Sequence, residues 1–446
     1  MPAIGLSSIS FVYLFLPVSV LVFYAAPSSM KNGVLLGISL VFYAMADPIW
    51  LLVMLLSVGL DFVMASILEE YLEKNRAAAR VVMGLCVAKA LLLILWPGVA
   101  FQLEGTPLPL GIQVYTLTAL GYMVDIYRGD AVREKDLVKF GLFCCFFGKL
   151  FAGPLVSSQE FLPQLDGKRP SIGELSSGLV TFSWGFAKQV ILAVGSYQVY
   201  RQLAALPGRE VTILSSWMLI VTFTFAVYFV LSGYCDMARG LGQLFGLDLP
   251  RNFYYPFQSR TVQDFFNRFN ITFNQYVRRY VVRSLGGEEG GFAAIAANVL
   301  FATILMGLWF GISLNFVVWG VYFALFLLLE KYLLHPWFSK IPPLFLRVYT
   351  FCVVMLSFTI FAGNDLVQAA AFLCNMFAFG RLELVNNSIL YILAQNYGVI
   401  LLCFIFATSI LEKLAGFLHK YLPRFSEVLS IGMNLGVLLA ATAMLL

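Results

Sequence analysis

Charged residues inside apolar stretches are the first candidates for chemistry in this sequence. They are Asp61, Lys89, Asp125, Lys149, Lys188, Asp236 and Arg239. An ionisable group at membrane depth is costly, so each of them needs a partner or a function. Asp236 and Arg239 share one helix face at i, i+3 spacing. Two interpretations stay open: the pair fixes helix packing, or Asp236 is a general base.

The densest basic region interleaves arginine with phenylalanine and tyrosine. Its arginines are Arg251, Arg260, Arg268, Arg278, Arg279 and Arg283. The planar guanidinium fork suits phosphate. Arg268, Arg278 and Arg279 are therefore candidates for binding either a phosphate-bearing donor or anionic lipid head groups. The glycines that follow are not a P-loop, because no Gly-Lys-Ser/Thr comes after them.

Histidine is scarce, with only His335 and His419 in the chain. His335 directly precedes a proline and His419 lies in a basic segment, so we predict that both lie at loop edges. The sequence has no cluster with the spacing of metal ligands and no Ser–His or Cys–His pairing. We predict neither a metal site nor a bound cofactor.

Composition decides which elements must position these residues. The 446 residues are 60% hydrophobic and only 12% charged, and their mean hydropathy is +0.85. A soluble protein this apolar could not cover its surface with polar groups. A disordered chain and a nucleic-acid binder are excluded as well, and the long unbroken apolar runs exclude an outer-membrane barrel. The sequence predicts an all-α, polytopic helical membrane protein.

Apolar runs long enough to cross about 30 Å of hydrocarbon predict about twelve spans within a single domain, 1–446. They lie near 10–26, 32–46, 49–67, 81–100, 109–127, 177–200, 212–231, 291–311, 315–334, 345–362, 388–411 and 426–446. When the N-terminus is placed outside, most Lys-rich and Arg-rich loops fall inside. Both termini are then extracytoplasmic.

Two segments do not fit a simple span. Segment 140–165 is broken by glycine and proline, and segment 232–290 is half polar and rich in arginine and aromatic residues. Irregular backbone at membrane depth must be buried in protein or line a cavity. We predict re-entrant or interfacial elements at both, around a central chamber.

Four ordered stretches, 109–129, 151–165, 232–287 and 307–324, carry a family resemblance. Together they resemble the membrane-bound O-acyltransferase (MBOAT) family, in its bacterial branch that acylates alginate and other surface polymers. The resemblance implies a ring of tilted helices around a central tunnel in the bacterial cytoplasmic (inner) membrane. An acyl donor, acetyl-CoA or an acyl carrier, would enter from the cytoplasm, and a cell-envelope glycan hydroxyl would approach from the other side.

The resemblance also implies catalytic histidines, and this chain departs from it there. Phe310, Phe323 and Asn270 stand where the family has histidine. A phenylalanine ring has no proton acceptor and cannot be a general base. The same motifs supply the candidates for tunnel or substrate contacts. They are Trp309, Asn315, Trp319, Tyr322, Tyr234 and Arg239.

Two functions therefore stay open. The chain acts in acyl (acetyl) transfer to extracytoplasmic glycans as a divergent member, using Asp236 or a substrate-assisted base, or as an inactive one. Alternatively, it is a non-catalytic scaffold, binding or acyl/lipid-passage subunit of a cell-envelope complex. The expected partners are the lipid bilayer, a glycan, and an extracytoplasmic acyltransferase or intact paralogue.

Overall fold

The computed structural model describes residues 5–104, 108–167, 170–287, 290–378 and 381–445. Within these ranges the chain is mostly helical, and an isolated β-bridge joins Phe253 and Phe269. Nine helices in the same ranges are long and apolar enough to cross a membrane. The predicted all-α, multi-pass architecture is confirmed.

The helices of the first half are bounded as follows. They are α1 Phe11–Ala25, α2 Lys31–Ala46, α3 Pro48–Lys74, α4 Arg76–Glu104, α5 Ile112–Arg128, α6 Leu137–Cys145, α7 Ser158–Phe161, α8 Ile172–Ala204 and α9 Ile213–Leu244. Proline at the first position of α3 has no N–H to leave unsatisfied there. Gly129, in a left-handed conformation, ends α5.

The second half continues the pattern. Its helices are α10 Val262–Phe266, α11 Ile271–Tyr276, α12 Phe292–Leu308, α13 Leu314–Phe338, α14 Pro343–Ala362, α15 Leu366–Met376, α16 Asn387–Phe406, α17 Ile410–Tyr421 and α18 Pro423–Ala443. Each of the twelve predicted apolar runs contains one of the eighteen helices.

The chain divides into two compact units. Unit 1 comprises Met1–Gly185 and Tyr234–Arg251, and unit 2 comprises Phe186–Gly233 and Asn252–Met444. Rings in unit 1 pack closely around Phe147, whose centroid lies 5.4 Å from that of Phe42 and 5.9 Å from that of Phe245. Such ring pairs contribute beyond the area that they bury.

The predicted start of an irregular segment at residue 232 is wrong. Helix α9 continues to Leu244, because this stretch has no proline and packs closely on α8 within unit 1. A Cβ added at Gly240 would lie 2.5 Å from the backbone nitrogen of Phe182. Only glycine permits α9 to cross α8 this closely. This packing stabilises the helical conformation of α9 through the polar residues that follow residue 232.

Segment 140–165 belongs to unit 1 and has an irregular backbone, and its assignment as a re-entrant or interfacial element stays a prediction. Helix α6 ends at Cys145, a 3₁₀ turn covers Phe147–Lys149, and α7 follows. Residues 140–150 are all buried. The Lys149 ammonium donates to the Phe143 carbonyl and lies 5.1 Å from the Phe161 ring centroid. Protein therefore covers this irregular backbone, as a membrane environment requires.

Helices α12 and α13 form a tight hairpin in unit 2. Cβ atoms added at Gly307 and Gly320 would lie 2.1 Å from the Phe316 carbonyl oxygen and 2.6 Å from the Ile304 Cα. Small residues at such crossings let helix backbones approach closely. The predicted site residues on this hairpin are Trp309, Phe310, Asn315, Trp319, Tyr322 and Phe323.

Candidate functional site

Phe323 lies at the centre of an aromatic cluster in unit 2. Its side chain is 0% exposed. Its ring centroid lies 4.6 Å from that of Trp319, 4.9 Å from that of Phe266 and 6.1 Å from that of Phe265. The geometry alternates edge-to-face and stacked pairs, which is typical of stable aromatic packing. The position where the resemblance implies a histidine is filled by a packed ring.

Phe310 closes the same cluster from the hairpin turn. Its ring lies 5.9 Å from Trp319 and 5.1 Å from Phe361. The Trp319 indole N–H is buried and has no hydrogen-bond partner among the residues described. Trp309 packs separately, with its ring 4.5 Å from Phe273. The cluster around Phe323 thus offers one unused donor and no proton acceptor.

Asn270 lies in a hydrogen-bonded network instead. Its backbone is left-handed, with φ +50°, a conformation that asparagine tolerates better than most residues. Its Oδ1 accepts from Asn252 Nδ2 at 3.0 Å, and Asn252 Oδ1 accepts from the Thr272 backbone N–H at 2.8 Å. These bonds fix the turn between α10 and α11, so Asn270 has a clear structural role.

Asn315 and Tyr322 attach α13 to the neighbouring chain. Asn315 Nδ2 donates to the carbonyls of Gly363 at 2.7 Å and Ile360 at 3.2 Å. The Tyr322 hydroxyl donates to the Val353 carbonyl at 2.8 Å. Both polar groups satisfy backbone acceptors on or just after α14. They position the helix that carries Phe323.

A cavity of about 560 Å³ follows the α12–α13 hairpin in unit 2. One wall is a stripe of α12 from Ile295 to Met306, about 16 Å long at 1.5 Å per residue. On α13, Lys331 and Leu327 line it at i, i+4 spacing. Phe323 and Trp319 continue this row, but there the aromatic cluster fills the space.

Several polar groups of this cavity are not among the site candidates from the sequence. Asn267, Asn274, Asn298 and His335 line it. Three of them are asparagines, which an inspection restricted to charged residues passes over. The sequence feature that indicates this cavity is Asn298, a polar residue inside the apolar run of α12. His335, which we predict at a loop edge, is exposed and also lines the cavity.

Glu330 is the carboxylate in this cavity, and it already has a structural role. Its Oε1 accepts from the backbone N–H of Val262 at 2.7 Å and its Oε2 from that of Gln263 at 3.2 Å. It therefore satisfies the first amides of α10. His335 lies twelve residues past Phe323, about 18 Å along a helix. Neither group is placed to take a proton beside Phe323.

The three candidate arginines have different surroundings. Arg278 lines the cavity, where Lys331 is a second cation. Arg268 Nε donates to Asp264 Oδ1 at 2.8 Å, one helical turn earlier. The Arg279 guanidinium lies 5.4 Å from the Tyr280 ring centroid. Of the three, Arg278 alone is among the cavity-lining residues.

The remaining candidates belong to unit 1. Arg239 Nη1 lies 3.9 Å from Asp236 Oδ1, and Arg239 Nε donates to the Leu249 carbonyl at 3.3 Å. The Tyr234 ring stacks on that of Phe151 at 5.1 Å. The spacing argument that paired Asp236 with Arg239 agrees with this geometry. The role of Asp236 as a base stays a prediction.

Asp61 and Lys89, two further charges inside apolar runs, pair with each other across α3 and α4. Lys89 also donates to the Ser57 hydroxyl at 3.1 Å. Such mutual satisfaction is what permits charges at membrane depth. No group of three or more His, Cys, Asp or Glu side chains in the described ranges could hold a metal ion.

Comparison with known proteins agrees with this architecture. The model of the MBOAT, membrane-bound O-acyltransferase family, matches residues 130–372. A probable alginate O-acetylase of Pseudomonas fluorescens is 29% identical over 392 residues, which cover 85% of this chain and 76% of that protein. A peptidoglycan O-acetyltransferase of Helicobacter pylori is 24% identical over 426 residues, 85% of this chain and 80% of that protein.

A third relative is more distant. A teichoic acid D-alanyltransferase of Bacillus subtilis is 23% identical over 275 residues, which cover 57% of this chain and 69% of that protein. The names of these three relatives describe acetyl or alanyl transfer involving alginate, peptidoglycan and teichoic acid. The family match extends over more than half of the chain and includes the α12–α13 hairpin. This chain belongs to the membrane-bound O-acyltransferase family.

Proposed function

We propose that this chain serves the acylation of extracytoplasmic glycans as a donor-binding subunit that does not itself catalyse transfer. It would work in the bacterial inner membrane beside an intact paralogue or an extracytoplasmic acyltransferase. The observation that carries the proposal is the aromatic plug, which we define as Phe323, Phe266 and Trp319. It stands in the row of side chains that lines the cavity.

The cavity supports the binding part of the proposal. Its lining combines the cations Arg278 and Lys331 with an apolar stripe of α12 that includes Ala302 and Met306. An acyl donor has the complementary form, with a phosphate-bearing head and an apolar acyl group. Guanidinium binds phosphate through two parallel N–H donors. Glu330 adds one carboxylate to the same lining, and that carboxylate is held in place by two backbone amides of α10.

The aromatic plug supports the part of the proposal that the chain does not itself catalyse transfer. Phe266 lines the cavity, and its ring packs against Phe323 at 4.9 Å. A hydroxyl acceptor needs a positioned base to become a good nucleophile. Phe323 supplies no acceptor for the proton, and its fully buried side chain packs against the rings of Trp319 and Phe266. Donor and base therefore cannot meet at this position.

A transfer assay tests the proposal directly. Purified protein in nanodiscs is offered radiolabelled acetyl-CoA or acyl-carrier donor with host membrane glycan. We expect donor retention but no more label in the glycan than with empty nanodiscs. Label transferred by the wild-type protein would overturn the non-catalytic assignment. If Asp236→Asn then abolished that label, Asp236 would be the base.

A matched pair of arginine variants tests donor binding. Arg278→Gln removes the cavity guanidinium, and we expect at least about tenfold weaker donor retention, since a charge-assisted hydrogen bond is worth about 1.5–3 kcal/mol. Arg268→Gln is the control, because Arg268 is paired with Asp264. Equal retention by the two variants would show that the donor binds elsewhere.

Restoring a base tests the plug. Phe323→His should gain measurable transfer, because imidazole supplies the missing proton acceptor at the end of the cavity. Phe326→His, three residues further along α13, is the control and should gain none. If neither variant transfers label, the ring at 323 is not what prevents catalysis.

A further inference from the structure

Helix α17 connects two helices that each have the length and composition of a membrane span. Helix α16 before it and α18 after it have windows of mean hydropathy 2.1 and 1.5. The end of α16 and the start of α18 must therefore lie at the same membrane surface. With twelve residues, α17 is about 18 Å long, which is too short to span the bilayer.

One face of α17 is apolar and uncovered. Ile410, Leu414, Phe417 and Tyr421 recur at i, i+4, i+7 and i+11, so they share a stripe about 60° wide at 100° per residue. Their exposed fractions are 55%, 50%, 57% and 60%. No residue of α17 is buried. The apolar stripe therefore has no protein cover in the described part of the chain.

The face of α17 beside the apolar stripe is basic. At 100° per residue, Lys413 and Lys420 lie about 70° and 90° from the centre of the stripe, whereas His419 and the single acid, Glu412, lie opposite it. Arg424 follows in the first turn of α18. A short helix with an apolar stripe and a lysine-bearing face is typical of elements that lie in the membrane interface. The Phe417 and Tyr421 rings pack together at 4.7 Å, and aromatic side chains favour this depth.

We propose that α17 is an interfacial anchor that binds the head groups of anionic phospholipids. Ile410, Leu414, Phe417 and Tyr421 insert at the boundary between head groups and acyl chains. Lys413, Lys420 and Arg424 pair with lipid phosphates. The placement between two spans argues for lipid as the occupant, because the stripe already lies at the bilayer surface. The basic face argues for anionic lipid, since each Lys or Arg near such a surface adds attraction.

Depth-dependent quenching tests the orientation of α17. Single-cysteine reporters at Leu414, in the apolar stripe, and at His419, on the opposite face, are built on full-length protein that carries Cys352→Ser and Cys374→Ser, because the other five cysteines are buried. Each is labelled with an environment-sensitive fluorophore in nanodiscs that contain phosphatidylglycerol. We expect lipid-attached quenchers to act on position 414 and aqueous iodide to act on position 419. Equal quenching at both positions would overturn the proposal, and so would protection from both quenchers, which would indicate a protein partner.

Lipid retention tests the choice of head group. Native mass spectrometry compares wild-type protein with the Lys413→Glu/Lys420→Glu variant after exposure to equal amounts of phosphatidylglycerol and phosphatidylcholine. We expect the variant to retain at least about fivefold less phosphatidylglycerol, with phosphatidylcholine unchanged. Lys340→Glu, at an exposed cation outside α17, is the control. Unchanged retention in the double variant, or an equal loss in the control, would refute anionic-lipid binding by α17.

Discussion

Phe323 and Asn270 stand at two positions where the resemblance to acyltransferases implies histidine, and their surroundings have diverged in opposite directions. Phe323 is enclosed by rings, the nearest of them 4.6 Å away. Asn270 is held by an amide and lies in a left-handed turn. The surroundings of Phe323 are apolar, whereas those of Asn270 form a polar network.

The difference shows that Phe323 and Asn270 stabilise the structure in different ways. In the centre of a hairpin, the aromatic ring of Phe323 packs against neighbouring rings, and such pairs contribute beyond the area that they bury. In the turn between α10 and α11, the residue must satisfy a neighbouring amide and accept positive φ, which an asparagine can do. The aromatic plug closes the cavity, and the Asn270 network keeps its wall in place.

The largest effect is expected at the centre of the plug. Phe323→Ala should lower the free energy of unfolding by about 3–5 kcal/mol, because it removes a fully buried ring and leaves a cavity. Leu325→Ala, at a side chain of α13 that is 61% exposed, is the control and should change it by less than about 0.5 kcal/mol. Thermal unfolding in detergent compares the two. A similar small loss for both would mean that the plug is not tightly packed.

Asn270→Ala should have the next largest effect and lower the free energy of unfolding by about 2–4 kcal/mol. About 1–2 kcal/mol reflects the left-handed backbone, and the remainder reflects the unsatisfied amide of Asn252. Asn270→Gly keeps the backbone conformation but loses the hydrogen bond, so its melting temperature should fall less than that of Asn270→Ala. If the glycine variant loses as much, strain at this turn contributes nothing.

Trp319→Phe should lower the free energy of unfolding by a smaller amount, about 1–2 kcal/mol. The change shortens a buried ring, but the lost indole N–H has no acceptor among the described residues, and removing an unsatisfied donor relieves a penalty. Melting temperatures of Trp319→Phe and Phe323→Ala, measured side by side, check the order. A loss equal to that of Phe323→Ala would indicate that the indole N–H has a partner.

Arg268→Gln should have the smallest effect on stability. Its ion pair with Asp264 is partly exposed and local, at i, i+4 spacing, and such pairs contribute about 0.3–0.5 kcal/mol. The melting temperature should therefore stay within error of the wild type. A large decrease would show that Arg268 supports the Asn270 network through the neighbouring turn.

The membrane class, the approximate spans and the absence of a base at position 323 follow from the sequence by itself. Hydropathy is a sum along the chain, so a window of apolar residues predicts a helix without knowledge of its neighbours. The inability of phenylalanine to accept a proton is equally local. The break in the apolar run at 140–165 is also visible in the sequence, because its glycines and prolines interrupt a helix locally.

Only the tertiary structure decided which side chains share a cavity and where that cavity ends. Asn267, Asn274, Asn298 and His335 come from separate segments, and no spacing rule joins them. The continuation of α9 to Leu244 depends on the close approach of glycine to a neighbouring helix. The exposure of the apolar stripe of α17 is likewise decided by the tertiary structure. Helix periodicity places residues on a face, but packing between helices determines what, if anything, covers that face.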